Sequence, residues 1–245
     1  MKKIMIKIGD FFFKYRNHLF PLILTALYLI SVPPHDFFGN EKLENLKDIL
    51  AVLIAASGLA LRALVIGYAY IKRGGLQKKV YAENLVTQGV FSACRNPLYV
   101  GNVLICIGIF LMHGSPIVLS LGITIYLFIY QCIIFAEERY LREKFGKAYD
   151  AYCNDTPRWL VKVSVLPEAL SGMKFNFKRV IMKDYTTIAN TIVLLAITEL
   201  YEDYSAIRIG GMDGYNALLC LLIVTSIIMV IAVRTAKKKH WLTEA

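Results

Sequence analysis

Arg95-Asn96-Pro97 stands directly before one apolar stretch, and Glu137-Glu138 stands directly after the next. Pro97 suits the first position of a helix and Asn96 suits its cap. The free N–H groups and positive dipole end of such a helix, with the Arg95 guanidinium beside them, favour an anion or a carboxylate. Two adjacent carboxylates favour an ammonium or accept a proton. Arg62 lies near the middle of another apolar stretch, where a charge costs about 2.5 to 3.5 kcal/mol on translocon scales, so it must face a bundle interior or a polar cavity. It suits either a structural partner or a ligand. Taken singly, an Arg and two Glu at membrane boundaries are most often solvated flanks.

The elements that carry these residues are membrane helices. Of 245 residues, 57% are apolar and only 19% are charged, and the mean hydropathy is +0.52. This composition argues against an ordinary soluble enzyme, disorder or a coiled coil. Ile49–Tyr70 and Pro116–Ala136, with 22 and 21 residues, match the roughly 20 needed to cross the hydrocarbon core. Leu98–Met112, Thr187–Leu200 and Ala217–Val233 are shorter candidates, and Leu19–Val32 before Pro33-Pro34 is the weakest. The expected fold is all-α, a polytopic bundle of about six transmembrane helices. Only His113-Gly114-Ser115 joins the stretches beginning at residues 98 and 116, so these form an antiparallel hairpin. That geometry returns Glu137-Glu138 to the edge occupied by Arg95-Asn96-Pro97. At about 1.5 Å per residue the second helix is about 7 Å longer than the first and must tilt or project.

Charge placement sets the orientation. Segments 1–18, 71–96, 137–186 and 234–245 hold 24 basic and 10 acidic residues, whereas 33–48, 113–115 and 201–213 with Glu199 hold 3 basic and 8 acidic. Basic excess marks the cytoplasmic side, so both termini are expected there, in the inner membrane if the source is bacterial. The net charge of +10 therefore reports topology and not nucleic-acid binding. Lys2, Lys3, Lys7, Lys14 and Arg16, interleaved with Ile4, Ile8, Phe11 and Phe12, read as an interfacial anchor. Five cysteines without a C-x-x-C pair and four scattered histidines predict neither a disulfide framework nor a metal site.

Residues 85–101 (LVTQGVFSACRNPLYVG), the apolar hairpin, Glu137-Glu138, Phe145–Tyr152 (FGKAYDAY) and Thr156-Pro157-Arg158 follow one another in an order that resembles the integral-membrane methyltransferases. That superfamily includes the isoprenylcysteine carboxyl methyltransferases and the phospholipid N-methyltransferases. The resemblance covers about residues 80 to 160. Three positions depart from its pattern: Gly89-Val90-Phe91 stands for G-P-Y, Arg95-Asn96-Pro97 for R-H-P, and no proline follows Arg158. Asn96 can replace a histidine hydrogen bond but cannot titrate near neutral pH.

The resemblance implies S-adenosyl-L-methionine as cofactor, held near the cytoplasmic surface by Gly89, Asn96, Pro97, Tyr99, Glu137, Glu138, Tyr149 and Tyr152. Arg95 suits the cofactor carboxylate, Glu137 or Glu138 its ammonium, and Tyr99 or Tyr149 its ring or sulfonium. Arg95 and Glu138 are the implied catalytic pair and Arg158 a candidate substrate contact, with Arg62, outside the resembling segment, a second candidate on the ground of its mid-span charge alone. A carboxylate or phosphate acceptor needs an Arg to position it, and an amine must lose a proton, for which Glu138 is the candidate. The acceptor is expected to be a lipid or lipidated molecule entering from the bilayer. The chain divides into N-terminal membrane helices with a basic start (1–79), a methyltransferase-like core (80–160), and a connector with a C-terminal hairpin (161–245). Two other readings compete: a small transporter or scaffold, and an NADPH-dependent sterol-type reductase with a related R-H-P-x-Y block.

Overall fold

Long apolar runs with few interior breakers become long helices here, and short Gly- or Pro-bounded links fold them back on one another. A computed structural model describes residues 1–34, 37–68, 80–204, 207 and 210–242, and no strand occurs among them. The helices are α1 (Lys2–Ile30), α2 (Glu41–Tyr68), α3 (Val90–Ala93), α4 (Pro97–His113), α5 (Pro116–Phe145), α6 (Lys147–Asp155), α7 (Leu166–Leu170), α8 (Phe177–Glu202) and α9 (Gly214–Lys238). The fold is an all-α bundle. By length and composition, Lys42–Tyr68, α5, α8 and α9 are long and apolar enough to cross a membrane, and α4 is a shorter apolar helix of 17 residues.

Two expected boundaries are corrected. The weak span at Leu19–Val32 and the interfacial segment before it form one helix, α1, with Pro21 inside it. The missing Pro21 N–H costs one helical bond, and the Tyr126 hydroxyl donates to the neighbouring Phe20 carbonyl at 2.7 Å. The span placed at Thr187–Leu200 begins ten residues earlier, at Phe177, where the Asn176 side chain accepts from the Arg179 N–H. Lys178, Arg179, Lys183 and Asp184 hide that first part from a hydropathy scan.

The hairpin is as expected. Gly114 closes α4 in the left-handed region (φ 73°), which spares the turn the strain a side chain would add. α5 then runs on to Phe145, nine residues beyond Ala136, so it projects past the start of α4. α2 packs along α4, α1 along α5 and α8 along α9, while α4 also touches α5 and α8. At the α2–α4 crossing a Cβ on Gly58 would lie 2.5 Å from the Gly101 carbonyl oxygen, so only glycine permits this approach. At the end that the charge placement assigns to the outside, buried Lys47 meets Glu44, Asp48 at 3.0 Å and Glu202 at 3.5 Å. It also donates to the Met112 carbonyl at 2.9 Å, tying α2, α4 and α8 together.

Candidate active site

At the opposite end, the segment after α6 is threaded back beneath α3. The Arg95 N–H donates to the Pro157 carbonyl at 2.9 Å, and the Lys162 N–H donates to the Ala93 carbonyl at 3.0 Å. Asn96 stands at the N-cap position of α4 as expected, but its side chain makes no cap bond and its Nδ2 instead donates to the Arg158 carbonyl at 3.1 Å. Asn96 therefore holds the Thr156-Pro157-Arg158 strap in place. This strap aims Arg158 at the end of α5, where Nε and a terminal nitrogen donate to Glu138 at 2.7 and 2.9 Å, a bidentate fork. Arg95 lies 3.5 Å from the same carboxylate. Glu138 is 3% exposed, so it is a buried anion gripped by two guanidinium groups and not a solvated flank.

Glu137, one residue earlier, points elsewhere. Its Oε1 accepts from the Tyr99 hydroxyl at 2.7 Å, and its Oε2 makes no hydrogen bond among the described residues. The Arg95 guanidinium also donates to the Cys153 sulfur, while its Nε is buried without a partner. Tyr149 is 2% exposed and stands beside Tyr152, whose hydroxyl donates to the Phe91 carbonyl at 2.7 Å. Burial pushes both phenols well above the usual range, with Glu138 adding to the effect at Tyr149 and Cys94 at Tyr152. The fork to Glu138 raises the Arg158 guanidinium, and burial raises the Cys94 thiol, so both keep their protons. Gly89 precedes α3 at φ 62°, and its role here is backbone geometry.

These groups surround one cavity of about 980 Å³. Arg95, Asn96, Pro97, Tyr99, Glu137, Glu138, Tyr149 and Tyr152 all line it, so the expected edge is brought together. Gly89 and Arg158 do not line it; Arg158 acts on it through Glu138. Arg62 does line it, but its Nε donates to Asp184 at 2.9 Å and its terminal nitrogens reach Asp184, Asn102 and Thr187. The cavity continues from this polar end into an apolar limb walled by Phe13, Phe20 and Leu24 of α1 and Ile109 and Phe110 of α4. Among the described residues no group of three or more His, Cys, Asp or Glu is placed to hold a metal ion.

Three participants escape a reading of the sequence. Cys153 gives no signal beyond its proximity to Tyr149 and Tyr152. Asp184 was countable only as a cytoplasmic charge, although its spacing to Thr187 and Thr191 marks one helical face. Arg16, grouped with the basic anchor, instead lines the cavity.

Residues 47–148, less than half of the chain, match the phospholipid methyltransferase family. The integral-membrane methyltransferase resemblance is thus borne out over α2, α4 and α5, and with the apolar helices it describes a multi-pass membrane protein. A stretch of 83 residues is 33% identical to the cobalt-zinc-cadmium resistance protein CzcN of Cupriavidus metallidurans. It covers 34% of this chain and 38% of that protein, so the chain spans less than two fifths of the length of this curated relative. No solved structure matches.

Proposed function

We propose that the chain is an S-adenosyl-L-methionine-dependent methyltransferase acting on a lipid or lipidated acceptor at the cytoplasmic edge of the bilayer. One observation carries this reading: inside the family-matched segment and the strap after it, an arginine with a buried unpartnered Nε, a carboxylate with a free oxygen and two tyrosines converge on a cavity that runs from polar to apolar. These residues fit the cofactor chemically. The orphaned Arg95 Nε suits a carboxylate, the Glu137 Oε2 suits an ammonium, and the Tyr99 and Tyr149 rings suit a sulfonium. The cofactor would supply a methyl group on a positively charged sulfur.

The chain's own part is orientation and exclusion of water. Transfer from a sulfonium neutralises charge as it proceeds, so alignment and a dry site contribute most of the rate. Buried Tyr149, with half-buried Phe91 and Tyr152, forms the cavity wall nearest the strap, while Glu138, held by Arg158, fixes the Arg95 fork. An amine acceptor would deliver its proton to Glu137, which lines the cavity and has one oxygen without a hydrogen bond among the described residues, since both Glu138 oxygens are occupied by Arg158. A carboxylate or phosphate acceptor needs no such base.

Calorimetric titration of the purified protein with S-adenosylmethionine and S-adenosylhomocysteine, in detergent and in lipid nanodiscs, tests the reading. Binding of either, unaffected by chelator and lost in Arg95→Ala, is the expected result. A folded protein that binds neither nucleoside would return the chain to the transporter or scaffold readings.

A further inference from the structure

We propose that Arg16 of α1 seats the anionic group of the lipid that occupies the apolar limb of the cavity, at the junction between that limb and the Glu137 end. This rests on the reading of the cavity as an acceptor chamber and adds the charge of its ligand. It also assigns a residue outside the family-matched segment.

Three cations line the cavity: Arg16, Arg62 and Arg95. Asp184 neutralises Arg62, whose remaining nitrogens are taken by Asn102 and Thr187. Arg95 shares Glu138 with Arg158. Arg16 alone among the three makes neither a hydrogen bond nor an ion pair among the described residues; its guanidinium lies 4.5 Å over the Phe13 ring. It is close enough to Glu137 and Tyr99 for its charge to act on both. A cation held at a cavity wall with no contact ion pair or hydrogen bond of its own among the described residues is what an incoming anion would complete.

The rest of the α1 face says what carries that anion. Phe13, Arg16, Phe20 and Leu24 fall three to four residues apart and all line the cavity, so they form one stripe. From Arg16 to Leu24 this stripe climbs about 12 Å. Past Arg16 it is apolar and faces Ile109 and Phe110. An amphiphile with a negative head and an apolar tail matches it: head on Arg16, tail along Phe20 and Leu24. A fatty-acyl carboxylate and a lipid phosphate share this chemistry. A lipid amine does not, because its ammonium would sit against the guanidinium.

The test is a native mass-spectrometric titration of the full chain in detergent with oleate, dioleoyl phosphatidic acid, oleylamine and monoolein. The wild type should bind one oleate or one phosphatidic acid at least about 10-fold more tightly than oleylamine or monoolein. Arg16→Ala should lose about 10- to 100-fold for the anionic probes, keep its monoolein affinity and keep its thermal midpoint. Arg16→Lys should recover part of the loss. Preference for oleate or for phosphatidic acid identifies a carboxylate or a phosphate head. Anionic probes that bind Arg16→Ala as tightly as the wild type, or a wild type that binds monoolein or oleylamine as tightly as oleate, would overturn the proposal. S-adenosylhomocysteine affinity, measured on the same samples, reads the methyltransferase proposal separately: its absence from the wild type sinks that reading, whereas its persistence in Arg16→Ala beside lost anionic binding supports this one.

Discussion

Replacing Glu138 and Glu137 by Gln, one at a time, should separate support of the site from binding within it. Glu138 is 3% exposed and accepts two bonds from Arg158, at 2.7 and 2.9 Å, with Arg95 at 3.5 Å. Glu138→Gln keeps the volume but removes a carboxylate shared by two guanidinium groups. Breaking a buried pair costs about 3 to 5 kcal/mol; because the Arg158 side chain is 33% exposed, water recovers part of this and about 2 to 3 kcal/mol remains. For a chain of this length that corresponds to a drop in thermal midpoint on the order of 4 to 12 °C. Glu137→Gln is different. A Gln oxygen still accepts from the Tyr99 hydroxyl, so stability should change by less than about 1 kcal/mol, while loss of the charge facing the cavity should weaken S-adenosylhomocysteine binding about 10- to 150-fold. Differential scanning fluorimetry and calorimetry on both variants give the two readouts. A Glu138→Gln protein with wild-type midpoint and no nucleoside binding, beside a Glu137→Gln protein with normal affinity, would refute this division of roles.

Arg62→Ala and Asp184→Ala should each lower stability by about 3 to 5 kcal/mol, and the double variant should lose less than the sum, because each single change removes one member of a buried ion pair and leaves the other's charge in place; chemical denaturation of the three proteins measures this coupling. Lys47→Ala, which leaves Glu44, Asp48 and Glu202 facing one another, should cost a similar amount without changing nucleoside affinity. For topology, Cys94 is fully buried and reports on neither side of the membrane, so exposed positions serve better. An impermeant maleimide added to sealed cells should label Met212→Cys above the wild-type background and leave Lys147→Cys at background; labelling of Lys147→Cys alone would reverse the orientation.

The α4–α5 hairpin was legible because two uncharged apolar runs with a three-residue link allow one arrangement, and that arrangement alone brings Arg95 to Glu138. What the sequence concealed were pairings across long separations. Arg62 announces by its mid-span charge that a partner must exist, but Asp184 lies 122 residues on, in a stretch whose Lys and Arg residues resemble a loop. The direction of Arg158 depends on the Asn96 bond to its carbonyl and on the Arg95 N–H bond to Pro157, both backbone contacts that no side-chain pattern records. Arg16 shares its composition with a surface anchor, and only the packing of α1 along α5 turns that face inward.

Both ends of the bundle bury charge, and they differ in whether that charge borders open volume. At one end Lys47 is surrounded by carboxylates and a carbonyl, and the Tyr28 hydroxyl bonds Thr198 at 2.7 Å to join α1 to α8. At the other end the Arg95 Nε, the Glu137 Oε2 and the whole Arg16 fork stand without partners among the described residues, around about 980 Å³ of open volume. Each such group lowers stability relative to a paired one, by about 1 to 3 kcal/mol where it is buried. Glu44 Oε2, Glu199 Oε2 and Glu202 Oε2 at the Lys47 end are also buried without a hydrogen-bond partner among the described residues, so what sets the cavity end apart is open volume beside its unpartnered groups, into which a ligand can bring the missing bonds. The unsatisfied atoms carry both signs, so a single simple ion would leave some of them unmet. A zwitterionic cofactor beside an anionic amphiphile would meet all three.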